Sequence, residues 1–109
     1  MTITMPEISP AELKSMLDNG KDVQIIDVRE EEELHYCTIG GKHIPMGEIL
    51  QRIGEIRRDV PVVIHCRSGK RASAVVYTLE HKYHFTNLHN LRGGIIGYID
   101  EIDPSMQKY

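Results

Sequence analysis

Apolar residues fall along this chain in short blocks whose spacing switches between helical and extended, with polar, glycine- or proline-bearing segments between them. Ser9-Pro10-Ala11-Glu12 opens the first block with an N-cap, a proline at the first helical position and a capping-box glutamate. Leu13, Met16 and Leu17 then share one helical face, and Asn19-Gly20 closes the helix. Val23-Gln-Ile-Ile-Asp-Val28 is short, β-branched and bounded by polar residues, which predicts a strand. Residues 30–34 predict a short exposed helix, with the four glutamates Glu30 to Glu33 as a solvated face. Turn residues dominate 38–45 and predict irregular chain. Ile49, Leu50, Ile53 and Ile56 return to helical spacing, with Arg57-Arg58 in the last turn, where cations suit a helix C-terminus. Val60-Pro-Val-Val-Ile64 is a continuous apolar run, the pattern of a strand covered on both faces, with Pro61 near its start. Val75, Val76, Leu79 and Tyr83 line a helix that starts near Ala72, residues 86–88 form a weak strand, and Ile95, Ile99 and Ile102 form a last helix opened by Gly93-Gly94.

Strands that alternate with helices through short connections predict an α/β fold, a central mostly parallel sheet with helices on both faces. The length of 109 residues suits a single domain over 1–109, and there is no internal repeat or linker. Two cysteines are too few for a disulfide scaffold. A net charge of −3 argues against nucleic acid as a partner. No apolar run approaches the roughly 20 residues of a membrane span, and Met1-Thr-Ile-Thr-Met-Pro6 lacks the basic head and apolar stretch of a secretory signal. The expectation is a cytoplasmic protein.

In open α/β sheets, ligands bind outside the carboxyl ends of strands, which directs attention to the residues after Ile64. There the chain reads His65-Cys66-Arg67-Ser68-Gly69-Lys70-Arg71, with three cations within five positions of Cys66 and no acid between Asp59 and Glu80. A short loop entering a helix N-terminus points backbone N–H groups inward, and the helix dipole adds positive charge. Such a cradle suits an anion and a thiolate. A free cysteine titrates at about 8.5, and these surroundings can lower that value and make Cys66 a nucleophile. Gly69 allows backbone angles closed to other residues. A buried core cysteine is the ordinary alternative for this residue type, but the basic loop, the glycine and the strand-to-helix position favour reactivity.

With these residues in place, the chain resembles the rhodanese-type sulfurtransferases over nearly its whole length. The resemblance rests on Ile26-Asp27-Val28-Arg29-Glu30 after the first strand, on Cys66-Arg-Ser-Gly-Lys-Arg71 as the active-site loop, and on Asn90-Leu-Arg-Gly-Gly94 before the last helix. It implies a rhodanese-like three-layer fold, with Cys66 as catalytic nucleophile. Cys66 would take a sulfane sulfur from thiosulfate or a persulfide donor and pass it to cyanide, a small thiol or a protein acceptor, with no cofactor. Arg67, Ser68, Gly69, Lys70 and Arg71 would bind the donor, and Asp27 and Arg29 would order neighbouring loops. Dual-specificity phosphatases of the same fold place five residues between cysteine and arginine. Here only Arg67 to Lys70 intervene, a tighter cradle that argues against phosphatase or arsenate reductase activity. The presence of Cys66 likewise argues against an inactive regulatory domain.

Other residues carry weaker signals. Arg92 is either a cation near the site or an exposed charge. Cys37 reads as an inert thiol, although a Cys66–Cys37 disulfide is the alternative. His43, His81, His84 and His89 lack a metal-ligand spacing and read as surface or capping residues. His65, adjacent to Cys66 on the strand, points to the opposite face and is a poor general base. Two features depart from the family pattern: a compressed Gly40-Gly-Lys-His-Ile-Pro45 and Tyr98 in place of a tryptophan after the double glycine. The compressed segment, Ile102-Asp-Pro-Ser105 and Tyr109 together resemble rhodanese domains fused to adenylyltransferases that activate ubiquitin-like sulfur carriers. That resemblance implies a second reading, a persulfide carrier or docking module that serves a protein acceptor.

Overall fold

Ser9 caps the first helix as its residue types require. In the computed structural model, which describes residues 6–109, its hydroxyl accepts the Glu12 N–H at 3.1 Å while the Glu12 carboxylate accepts the Ser9 N–H at 3.1 Å. Residues 1–5, on which the expectation about a secretory signal falls, lie outside the described residues. The chain runs β1 (Glu7–Ile8), α1 (Pro10–Asp18), β2 (Gln24–Asp27), a 3-10 segment (Glu31–His35), β3 (Lys42–His43), a second 3-10 segment (Met46–Glu55), β4 (Val62–His65), α2 (Lys70–Tyr83), β5 (Leu88–Leu91) and α3 (Gly94–Glu101).

The strands form one sheet in the order β1-β5-β4-β2-β3, and every pairing is parallel. Period-two alternation sends neighbouring residues of one strand to different layers. Val62 and Ile64 pack with Ile49, Val75, Val76 and Leu79, whereas Ile25 and Val63 pack with Leu13 and Tyr98. The sheet is therefore covered on both faces, as the continuous apolar run of β4 predicts. Register brings Asp27 level with His65 and Ile64 level with Asn90, so the carboxyl ends of β2, β4 and β5 lie side by side. Among the described residues no helix is long and apolar enough to cross a membrane.

Several elements differ from the sequence expectation. The 38–45 segment contains β3, which pairs with the end of β2. The short β1 has no sequence signature of its own; it is held by pairing with β5. β5 lies at Leu88–Leu91 rather than 86–88 because neighbours on both sides supply its ladder, which outweighs the poor strand propensity of His89 and Asn90. The Met46–Glu55 segment is 3-10 and kinked at Arg52, not α-helical, and Gly47 and Gly54 disfavour a regular helix there. Ile49 and Ile56 are buried, but Leu50 is 48% exposed, and Leu17 and Tyr83 also face solvent. Arg57 lies beyond the segment's end and bonds Asp22 and Asp59 instead of a helix terminus.

Candidate active site

Cys66 leaves β4 fully buried, with 1% of its surface exposed. α2 begins at Lys70, so the connecting loop is shorter than the delayed start near Ala72 expected from sequence. The turn is made by Gly69, whose φ of 111° lies in a region that L side chains rarely adopt. An added Cβ there would have room, its nearest contact being Asn90 Nδ2 at 3.8 Å, so backbone angle rather than space requires the glycine. In this turn the Gly69 N–H donates to Cys66 Sγ at 3.1 Å. The first N–H groups of α2 have no carbonyl one turn earlier to pair with. They stand at the mouth of the same turn and supply the positive end of the helix dipole.

The loop is fastened from below and behind. Cys66 and Arg67 carbonyls accept the N–H groups of Ile95 at 2.9 Å and Ile96 at 3.1 Å, at the start of α3. Gly94 adopts φ 61° and approaches so closely that a Cβ would lie 2.4 Å from the Arg67 carbonyl oxygen. Asn90 on β5 donates to Ser73 Oγ at 2.7 Å and to the Gly69 carbonyl at 3.4 Å. The Asn90-to-Gly94 stretch thus supports the loop directly. Its sequence signal is the motif alone, which does not say what each residue touches.

The candidate donor-binding residues divide into two kinds. Arg67, Ser68 and Lys70 lie at the outer side of the loop, Arg67 and Lys70 exposed, and Lys70 makes no ion pair among the described residues. Arg71 is engaged: its Nη1 and Nη2 donate to both oxygens of Glu33 at 2.6 and 2.8 Å. The sequence expectation places Glu33 on a solvated face. Instead, Glu31 and Glu32 lie further out while the Glu33 side chain retains 17% exposure and enters the site. The two guanidinium bonds hold its carboxyl down to about 2; burial opposes them, and the Glu30 N–H and the Tyr109 hydroxyl add to them. The acid-free stretch around Cys66 therefore acquires its carboxylate from the segment after β2.

Tyr109 is the second residue to which sequence reasoning assigns no role at the site. Its hydroxyl donates to Glu33 Oε1 at 2.8 Å and accepts from Arg29 Nη1 at 3.0 Å. Its ring stacks on Tyr36, with centroids 5.0 Å apart, and the Arg67 guanidinium lies 5.0 Å from the ring centroid. Arg67 also donates to the main-chain oxygen of Tyr109, through Nε at 2.6 Å and through Nη2.

Asp27 and Arg29 form a pair buried beneath these groups, Nη2 to Oδ2 at 2.7 Å. Arg29 Nη2 also donates to the Cys37 carbonyl at 2.8 Å, and its own carbonyl lies 2.7 Å from His43 Nε2. Burial pushes the Asp27 carboxyl up, but the bonds from Arg29 and the nearby His65 outweigh it and leave the group lowered. His65 is fully buried on the Asp27 side, its Nε2 3.8 Å from Oδ2. Burial pushes its ring down, against the attraction of Asp27. Cys37 and Cys66 are both free thiols. Cys37 packs with Ile95 and Ile99. Arg92 is exposed, His81 lies tilted against the Tyr77 ring, and His84 closes α2 with φ 60°. Among the described residues no three His, Cys, Asp or Glu side chains gather as a metal site.

This assembly is similar to known proteins over most of its length. The family described as Rhodanese-like domain matches residues 9–101. A sulfurtransferase of Allochromatium vinosum is 37% identical over 94 residues, which cover 84% of this chain and 86% of that one. A crystal structure of a rhodanese-like domain protein from Staphylococcus aureus superposes with a TM-score of 0.79 at 31% identity, covering 96% of this chain and 99% of the other. A Bacillus subtilis protein named as a putative sulfur carrier, YrkF, is 36% identical over 78 residues, 71% of this chain; those residues span only 42% of YrkF.

Proposed function

The chain belongs to the rhodanese-like domain family and is a relative of sulfurtransferases, and from that premise we propose that Cys66 carries a sulfane sulfur from thiosulfate, or from a persulfide donor, to a thiophilic acceptor. In the first step the Cys66 thiolate attacks the outer sulfur of thiosulfate. The bond between the two thiosulfate sulfurs breaks, sulfite leaves with the electron pair, and Cys66 becomes a persulfide. In the second step cyanide or a thiolate attacks the terminal sulfur, and the Cys66 thiolate is released. With cyanide the product is thiocyanate.

The observation that carries this reading is the Gly69 N–H aimed at Cys66 Sγ inside the four-residue loop between Cys66 and Arg71. A donor already directed at sulfur stabilises negative charge on it before and after transfer, the logic of an oxyanion hole. The α2 N-terminus and Lys70 would attract the anionic donor, with Arg67 and Ser68 on the rim. Arg71 acts here through its pair with Glu33, and Asp27 and Arg29 hold the underlying loops. No cofactor enters these steps, and a free nucleophilic thiol suits a reducing compartment such as the cytoplasm.

A persulfide carrier that hands sulfur to a protein, such as a ubiquitin-like sulfur carrier, is the second reading. It is favoured by the similarity to YrkF and to the adenylyltransferase and sulfurtransferase UBA4 of Eremothecium gossypii, 36% identical over 62 residues that cover 57% of this chain and only 14% of that protein. Intact mass spectrometry after brief exposure to thiosulfate tests the first reading. A gain of one sulfur atom (about 32 Da), reversed by cyanide and absent from a folded Cys66→Ser variant, is expected. No gain from thiosulfate but loading from a protein persulfide would select the carrier. Loss of the thermal transition in Cys66→Ser would mark the cysteine as a packing residue.

A further inference from the structure

Residues 102–109 return from the end of α3 to the mouth of the loop, and nothing in the transfer chemistry requires them there. The stretch is nevertheless heavily anchored. Met106 and Tyr109 pack against the Cys37, Ile95 and Ile99 cluster. The Tyr109 ring lies on Tyr36, and its hydroxyl bridges Arg29 and Glu33, the residue that holds Arg71. Its main-chain oxygen takes two donors of Arg67, and its ring lies beneath the same guanidinium. Arg67 immediately follows the nucleophile, is exposed, and is thus a cation within reach of an anion arriving at Cys66. In the structure its donors are turned to Tyr109.

We propose that Tyr109 is a specificity-determining residue: by occupying Arg67 it makes a small oxyanionic sulfur donor compete for that guanidinium, and so biases the site away from such donors and toward protein persulfides, whose reacting end bears no oxyanion. The inference rests on the sulfur-transfer reading for its consequence, but its physical content is competition for a cation. An oxyanion that takes Arg67 must displace a charge-assisted contact which ring stacking and two hydroxyl bonds keep in place. A protein persulfide brings no oxyanion to the guanidinium and does not meet this cost. The device is also graded. Removing the hydroxyl alone loosens the anchor, while removing the ring releases it.

Sulfate binding, followed through the Ser68 and Gly69 amide signals, provides a readout independent of turnover. Tyr109→Ala should bind sulfate about two- to fivefold tighter than the parent, the range for releasing one exposed charged contact. Tyr109→Phe should fall between them. The gain should vanish in the Tyr109→Ala, Arg67→Ala double variant, which separates competition for Arg67 from general loosening of the fold. In turnover, KM for thiosulfate should fall in Tyr109→Ala with kcat held, and a protein persulfide donor, which brings no oxyanion, should show no such change. Unchanged or weaker sulfate binding in a folded Tyr109→Ala would overturn the proposal, as would a gain that survives loss of Arg67. Tighter sulfate binding in a protein that never loads sulfur would sink the proposed function and leave this inference standing.

Discussion

Glu33 shows how one side chain changes the electrostatics of the site. It sits in a run of four glutamates, and a single turn decides which of them is solvated. Its folded carboxyl titrates at about 2, held there chiefly by Arg71, whereas an unfolded glutamate titrates near about 4.3. The ionised form thus stabilises the fold above about pH 4.3, and that contribution is lost as pH falls toward about 2. Glu33→Gln should lower stability near neutral pH by about 1 kcal/mol and flatten the acid limb, so that the two stability curves converge at low pH. Thermal melts across the acid range check this; parallel curves would mean the pair with Arg71 adds nothing. Cys66 and Gly69 stand out in the sequence as candidates because the features that mark them, a basic loop between a strand and a helix, lie within a few residues. Glu33 does not, because its partner is 38 positions away and becomes a neighbour only through the parallel sheet.

At the scale of elements, the loop is shaped by what presses on it. α3 begins at Gly94, which touches the Arg67 carbonyl and adopts a left-handed φ. Gly94→Ala therefore meets two independent obstacles, a backbone clash and an unfavourable angle. The expected cost is about 2–4 kcal/mol, with the Cys66 loop pushed out of register and sulfur loading reduced about tenfold or more. Gly47 in the second 3-10 segment provides the control. It has open space around its Cβ position and no left-handed angle, so Gly47→Ala should leave both melting temperature and loading nearly unchanged. Equal behaviour of the two variants would refute the assignment of Gly94 as a loop support. The sequence predicted α1, α2 and α3 through caps and periodicity, and β4 through its unbroken apolar run. It missed β1 and displaced β5, since strands of two and four residues are specified by their neighbours and not by their own composition.

Across the whole molecule, net charge and local charge have opposite signs. The chain carries −3, yet the mouth of the loop gathers Lys70, Arg67 and the N-terminus of α2, with Glu33 committed to Arg71. If thiosulfate is the donor, as proposed, its attraction to that face would be screened by salt over a Debye length of about 10 Å at 0.1 M. Raising ionic strength from about 0.05 to 0.5 M should increase KM for thiosulfate several-fold with little change in kcat, and leave a neutral donor unaffected. Steady-state kinetics over that range measures it; a KM indifferent to salt would place donor binding on the loop amides alone. The sequence by itself determined the α/β alternation, the candidate nucleophile, the length of its loop and the cations beside it, because caps, periodicity and short loops are encoded among near neighbours. Only the tertiary structure decided that Glu33 claims Arg71, that Asn90 and Gly94 brace the loop, and that Tyr109 claims Arg67 from 42 residues away. Those pairings depend on where the sheet order β1-β5-β4-β2-β3 delivers each strand end, and no local pattern carries that information.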